Sequence, residues 1–394
     1  MSSNTDNTED MFRIMSLDGG GIYGLFTVYM LKQLCQGNPN FLKKGCVNLF
    51  AGTSAGALHA LFLAKYDDPR DAVLGGEIES FWADPLVFSN LNPLNLMASY
   101  FGLGPYCGTQ EYLSVLRKYF GNLTLGDLKQ HVLLTCFDWA GNPHDGKERK
   151  WKPKLFVNFH NNDPDWNESV ADVAFSVTSP TYLRAIWNGK QDGGLFAPNP
   201  TMCAITKVVS EVFSPNPKHE KNQEPGLKNA FKNVVQKHDE DKLTNRDSVL
   251  DILSVLSLGV GNEYPFLPVG TMEWGLVHWM SGMWNPTLQQ WITPTSYYMC
   301  DPFMQDVDLQ ASQLLNRGCV VNRDSSDKMH LGYHRLAPQV LRMPLSKANL
   351  LMRNNPFFSS YIRNEIYKAA FHNSKSLDEL KTAADWLEKE DWFS

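Results

Sequence analysis

A chain of 394 residues that is 43% hydrophobic and 20% charged can bury a sizeable core, as one large domain or two modest ones. Its net charge of -6 disfavours a general nucleic-acid surface. Seven cysteines, scattered without a CxxC pair, point away from a disulfide framework or a zinc ribbon and toward reduced thiols in a cytosol.

The first residues, Ser2 to Asp10, are polar and acidic, with no basic n-region or apolar h-region, so no signal peptide is expected. No apolar run reaches the roughly 18 residues of a spanning helix, and none is expected. Phe12 to Leu17 is a short apolar run ending in Asp18-Gly-Gly-Gly21, which predicts a strand and a tight turn. Ile22 to Cys35 has helical spacing, carried by Leu25, Val28, Tyr29, Leu31 and Lys32. Val47 to Ala51 predicts a second buried strand, and Ala55 to Tyr66 a buried Ala/Leu-rich helix. Strand, helix, strand, helix in this order predicts a right-handed unit on a largely parallel sheet.

Farther on, Thr109 can cap a helix running to Phe120 and closed by Gly121. His131 to Phe137, Lys154 to Phe159 and Val249 to Leu258 read as strands. Ser214 to Asp247, rich in Lys, Glu, Asp, Asn and Pro, reads as an exposed insertion. Asn354 to Trp392 reads as two surface helices. Residues 10–345 are expected to form the main domain, and 346–394 a C-terminal helical extension. Two stretches carry no Asp, Glu, Lys or Arg: Pro85 to Gln110, and Trp274 to Cys300 with its four tryptophans and two tyrosines. They suit segments covering a pocket, or an apolar rim that dips into lipid, and the sequence leaves both open.

Gly19-Gly-Gly-Ile-Tyr-Gly24 fits G-x-G-x-x-G between a strand and a helix, the pattern of a dinucleotide site. That site needs an acid at the end of the second strand to hold a ribose. Between Asp18 and Asp67 there is neither Asp nor Glu. A phosphate P-loop fails as well, because no Gly-Lys-Ser/Thr follows. Main-chain N–H groups at a helix start can instead hold the oxyanion of an acyl-transfer intermediate. Gly19, Gly20 and Gly21 are therefore candidate oxyanion donors.

The second strand ends in Gly52-Thr-Ser-Ala-Gly56, a nucleophile elbow, where small neighbours let Ser54 project its hydroxyl. The N–H of Ala55, opening the next helix, is a further candidate donor. For the base, His330 and His334 are late candidates. Their spacing could suggest a metal pair on a helix, but Gly332 and the strand-like pattern around them argue against it. Asp192-Gly-Gly194 offers a carboxylate at a tight turn, a weak signal alone.

These motifs, in this order, resemble the patatin-like phospholipases, serine acyl hydrolases with a Ser–Asp dyad. The resemblance rests on Asp18-Gly-Gly-Gly-Ile-Tyr-Gly24, Gly52-Thr-Ser-Ala-Gly56 and Asp192-Gly-Gly194, supported by Ala174 to Tyr182 and Leu256 to Gly261. It implies a three-layer α/β/α fold with a central, mostly parallel sheet. It implies Ser54 as nucleophile, Asp192 as base, and Gly19, Gly20, Gly21 and Ala55 as oxyanion donors, with no metal or other cofactor. Gly24, Gly52, Gly56, Gly193 and Gly194 then serve the backbone of these motifs. The sequence departs from the family at Tyr23, where Arg or Lys is usual, and at Thr178 and Ser179, where alanines are usual. Membrane phospholipid becomes the expected substrate, and the expected location is the cytoplasm, peripheral at the inner membrane surface when active. Some bacterial relatives in antiviral defence are switched on by cyclic nucleotides, which makes such a nucleotide a candidate activator and the 214–247 insertion the place to seek its effect. An oligomer stays open. The opposing class is a non-catalytic lipid-binding or scaffold protein with a vestigial elbow, against which intact Ser54 and Asp192 argue.

Overall fold

The computed structural model describes residues 11–89, 103–139, 151–180, 183–213, 227, 246–261, 283–285, 290–292, 294–316, 332–338, 374–390 and 392. In chain order the strands are Phe12–Leu17 (β1), Leu49–Gly52 (β2), His131–Asp138 (β3), Lys152–Val157 (β4), Lys190–Asp192 (β5), Leu253–Leu258 (β6), Met283–Asn285 (β7), Gln290–Ile292 (β8) and Tyr333–Leu336 (β9). The helices are Gly24–Gly37 (α1), Ala55–Ala64 (α2), Arg70–Leu74 (α3), Glu77–Ala83 (α4), Thr109–Phe120 (α5), Val170–Val177 (α6), Thr201–Phe213 (α7), Arg246–Asp251 (α8), Pro294–Leu315 (α9) and Ser374–Lys389 (α10).

Strands β1, β2 and β6 are buried along their whole length. Strands so apolar on both faces belong at the centre of a parallel sheet. The sheet order is β4-β3-β2-β1-β6-β9, with β5 paired to β3 off this path. From β3 to β9 the neighbours are parallel, and β4 and β5 run antiparallel to β3. Strands β7 and β8 form a separate antiparallel pair.

Side chains alternate between the two faces with the strand period of two. Met15, Leu17, Phe50, Val132, Leu134, Leu256 and Leu258 meet residues of α1, α2, α5, α6 and α10 on one face. Phe12, Ile14, Leu49, Ala51, Leu133, Leu253 and Val255 meet α7 and α9 on the other. The chain thus forms the α/β/α arrangement that the sequence predicts. The chain leaves β1 toward β2 on one side, while β6 and β9 extend the sheet on the other. The crevice at the carboxyl ends of β1 and β6 is therefore the switch point where open α/β sheets place their ligands.

Several predicted elements shift. Gly21–Tyr23 forms a 3-10 turn before α1, so the helix begins at Gly24. Gly108, with no side-chain bond, occupies the cap position predicted for Thr109, while Gly121 closes α5 at φ 56° as expected. The predicted strand Val249 to Leu258 is a correction: helix α8 runs to Asp251, and only Leu253 onward is extended. An apolar run this short fits either element by pattern alone. Of the 214–247 insertion, only 227, 246 and 247 are among the described residues. Residues 90–102, the side chains of 274–300, His330 and residues 354–373 lie outside them too. Among the described residues, no helix is long and apolar enough to cross a membrane.

Candidate active site

The glycine loop leaves β1 at the switch point and is pinned at each step. The Asp18 N–H donates to Leu258 O at 3.0 Å, and the Gly19 N–H donates to Pro198 O at 2.9 Å. A side chain at Gly19 would press on Ser54 and Thr53, each 3.2 Å from its missing Cβ, and one at Gly20 would run into Val260. Gly21 has φ +56°, a conformation that favours glycine, with open space where a side chain would stand. Of the three expected glycine donors, Gly19 has its amide hydrogen on Pro198 O, which anchors the loop. Among the described residues, the N–H groups of Gly20, Gly21 and Ala55 have no protein acceptor.

The elbow joins β2 to α2. Ser54 sits at φ 52°, ψ -120°, a strained conformation for a residue with a side chain. Such strain costs on the order of 1–3 kcal/mol and persists only where the surroundings fix it. Here close packing fixes it. A Cβ on Gly52 would overlap the backbone of Gly56 and Ala57, and a Cβ on Gly56 would overlap the Leu17 carbonyl. A Cβ on Gly24 would stand 2.9 Å from the side chains of Ala55 and His59.

Thr53 ties the elbow to the neighbouring strand. Its hydroxyl donates to Ala197 O at 2.6 Å, and the Thr135 hydroxyl lies 2.7 Å away. Having one hydrogen, Thr53 must accept from Thr135. Thr135 lies on β3, and Ala197 follows the Asp192 turn. One buried hydroxyl thereby sets the spacing between the serine loop and the aspartate loop.

Asp192 ends β5, paired with Cys136 of β3. Its carboxylate accepts the Gly194 N–H at 2.8 Å and caps a 3-10 turn over Gly193–Leu195. A side chain on Gly193 would collide with Thr135. Ser54 lies near enough to Asp192 for its hydroxyl to favour the ionised carboxylate. Asp192 is 4% exposed. Burial pushes its carboxyl up to about 6, against the nearby Ser54 hydroxyl, the Gly194 N–H and the charge of Arg184, which all favour the ionised form.

Sequence reasoning passed over Arg184 because nothing local marks it. It is buried, donates to Thr178 O at 3.1 Å and Val87 O at 2.7 Å, and lies 3.6 Å from the centre of the Tyr112 ring. It braces the segment that delivers Asp192. Thr178 and Ser179 now have a use as well: their hydroxyls donate to Ala174 O and Phe175 O at the end of α6. Tyr23 ends the 3-10 turn, donating its N–H to Gly20 O at 3.2 Å. His334 stacks on Trp386 at 5.3 Å, and His59 accepts a bond from Trp82 and is held neutral by burial, its pKa lowered to about 3. Among the described residues, no cluster of His, Cys, Asp and Glu could hold a metal ion.

Residues 15–205 match the family model described as patatin-like phospholipase. The chain is 26% identical to the putative sporulation hydrolase CotR of Bacillus subtilis (strain 168), over 68% of each protein. It is 24% identical to patatin-like protein 2 of Oryza sativa subsp. indica, over 71% of this chain and 68% of that one. Among solved structures, human GIVD cytosolic phospholipase A2 aligns at 11% identity with a TM-score of 0.37, covering 96% of this chain and 61% of that one.

Proposed function

We propose that this chain, whose residues 15–205 match the patatin-like phospholipase model, hydrolyses acyl esters of glycerophospholipids, with Ser54 as nucleophile and Asp192 as base. The observation that carries the reading is a strained elbow serine close enough to a buried carboxylate to favour its ionised form. A carboxyl near 6 is ionised at neutral pH and is a stronger base than an exposed aspartate.

Asp192 takes the Ser54 proton as Oγ bonds to the ester carbonyl carbon, and the carbonyl electron pair moves onto oxygen. The N–H groups of Gly20, Gly21 and Ala55 receive that oxyanion. The intermediate collapses, the C–O bond to glycerol breaks, and the departing oxygen takes the proton from Asp192. A water then gives Asp192 a proton and attacks the acyl-enzyme; Ser54 leaves with that proton, and a fatty acid is released.

A fluorophosphonate tests this directly. It is expected to label Ser54 with one-to-one stoichiometry, and Ser54→Ala is expected to lose both labelling and lipid hydrolysis. A lipid-binding protein with a vestigial elbow would take no label, and that result would overturn the proposal.

Preference for lipid over a small soluble ester draws on aromatic side chains at the site's end of the sheet. β3 runs parallel to β2, so Trp139, after β3, lies at the end that carries Ser54. β4 is antiparallel, with Lys152 opposite Asp138, which brings Trp151 to the same end. The two indoles lie 4.8 Å apart, and Trp151 is 71% exposed. Exposed tryptophan beside a lysine suits the boundary between headgroups and acyl chains. Trp151→Ala is expected to lower hydrolysis of phospholipid vesicles about tenfold, since burying a large apolar side chain contributes roughly 1.5–3 kcal/mol. Turnover of a short soluble ester should be unchanged, and equal loss on both substrates would remove the surface role. The same reading makes the protein peripheral to a membrane inside the cell. Control by a cyclic nucleotide, and a part in antiviral defence, rest on the resemblance alone.

A further inference from the structure

The sequence Asp-Gly-Gly occurs at both edges of the site, and the two copies behave differently. At Asp192-Gly-Gly194 the carboxylate folds back onto the N–H two residues on, at 2.8 Å. Asp18-Gly-Gly20 has the same local option, because an aspartate readily accepts from the amide at i+2. It does not take it: the Gly20 N–H has no acceptor among the described residues.

The Asp18 carboxylate is held from another direction. Arg335 Nη2 lies 2.6 Å from Asp18 Oδ2, and Arg335 Nη1 donates to Ser257 Oγ at 2.9 Å. The Asp18 side chain is fully buried and the Arg335 side chain is 9% exposed. Arg335 lies on β9, opposite Ser257 of β6, and reaches past β6 to the end of β1. Gly259 leaves room for this reach: a Cβ there would stand 3.2 Å from Nη2 and 2.6 Å from the Ala337 Cβ. The arginine comes from outside residues 15–205, the span matched by the family model.

We propose that Arg335 is a positioning residue that draws the Asp18 carboxylate away from the glycine loop and so keeps the Gly20 N–H open for the oxyanion. The inference rests on the acyl-hydrolase reading above. Without the guanidinium, the Asp18 carboxylate is free to accept from the Gly20 amide two residues on, as Asp192 does from Gly194. A carboxylate bonded to Gly20 occupies the donor before substrate arrives. Such a loss acts on the transition state and leaves ground-state binding of the lipid intact.

The test uses the full chain and counts active sites by fluorophosphonate labelling taken to completion. Arg335→Met is expected to lower kcat per labelled site on the order of 10²-fold, the usual effect of losing one oxyanion donor, with KM within about twofold. Inhibition by a long-chain trifluoromethyl ketone, whose adduct carries the oxyanion, should weaken by a similar factor. Arg335→Lys should restore much of kcat. The double variant Asp18→Ala/Arg335→Met, with no carboxylate left to intrude, should recover most of it. A folded Arg335→Met with unchanged kcat, or with an equal loss spread into KM, overturns the proposal. If Arg335→Met does not fold, the double variant decides: folded and active supports the proposal, folded and inactive overturns it. These outcomes leave the hydrolase reading untouched, which falls only if the wild-type chain takes no label.

Discussion

Asp192→Asn is expected to lower kcat/KM for a phospholipid ester on the order of 10³-fold or more, and to raise thermal stability at pH 8. The rate effect follows from polarity. An asparagine oxygen can still accept from Gly194, but its amide then presents N–H toward Ser54, which cannot take the serine proton. Losing one member of a nucleophile–base pair removes most of the advantage the pair gives. The stability effect has the opposite sign. The folded Asp192 pKa is about 6, against 3.8 for the free group. A carboxyl whose pKa rises on folding stabilises the fold while protonated in both states. That contribution is lost as pH climbs from about 4 through about 6, and above 6 the full cost of burying the charge remains. Two pKa units correspond to roughly 3 kcal/mol. A neutral amide escapes part of that cost at pH 8 and gains little at pH 4. Melting curves at the two pH values, beside kinetics across pH 5 to 8, check both halves. Wild-type kcat/KM should fall as pH drops below about 6. A variant that keeps its activity, or melts lower at both pH values, would contradict this account of the site.

Gly56→Ala is expected to cost the fold more than about 3 kcal/mol, enough to remove most soluble protein. The missing Cβ points into the Leu17 carbonyl at the end of β1. Both sides of that contact are backbone, one in a central strand and the other in the first turn of α2, so neither yields without moving the sheet or the helix. Overpacking against side chains commonly costs about 1–3 kcal/mol, and here nothing can rotate aside. Gly37 provides the control, because no atom lies within 4 Å of its missing Cβ. Gly37→Ala should express and melt like the parent. A Gly56→Ala protein that did the same would mean that the close approach of α2 to β1 is not required.

What could be read from the sequence is what depends on neighbours along the chain. The β1 run, the glycine turn, the elbow and the Asp-Gly-Gly turn are local patterns, and each lies where its pattern predicts. The residues that join them are distant in sequence. The Thr53 hydroxyl meets a carbonyl 144 positions away, and Asp18 meets an arginine 317 positions away. A threonine between a glycine and a serine, or an arginine in a short strand, carries no mark of such a partner. The bond of the Gly19 amide has the same origin. Three consecutive glycines offer three amides, and only the fold shows that Pro198 has claimed the first. The boundary at Val249 was hidden for another reason, since a short apolar run fits helix and strand alike.

One contact far from the site bears on how the molecule is made. Trp392 is completely buried: its indole N–H donates to Ser254 Oγ on β6 at 2.7 Å, and its carbonyl accepts from the Cys46 thiol at 2.9 Å. These partners lie 138 and 346 positions earlier in the chain. While the chain grows on the ribosome, the sheet therefore lacks a plug in its core until residue 392 has emerged, and loop closure over such distances comes late. Under the proposed function, a nascent chain short of residue 392 has an unfinished core and is expected to hydrolyse lipid poorly.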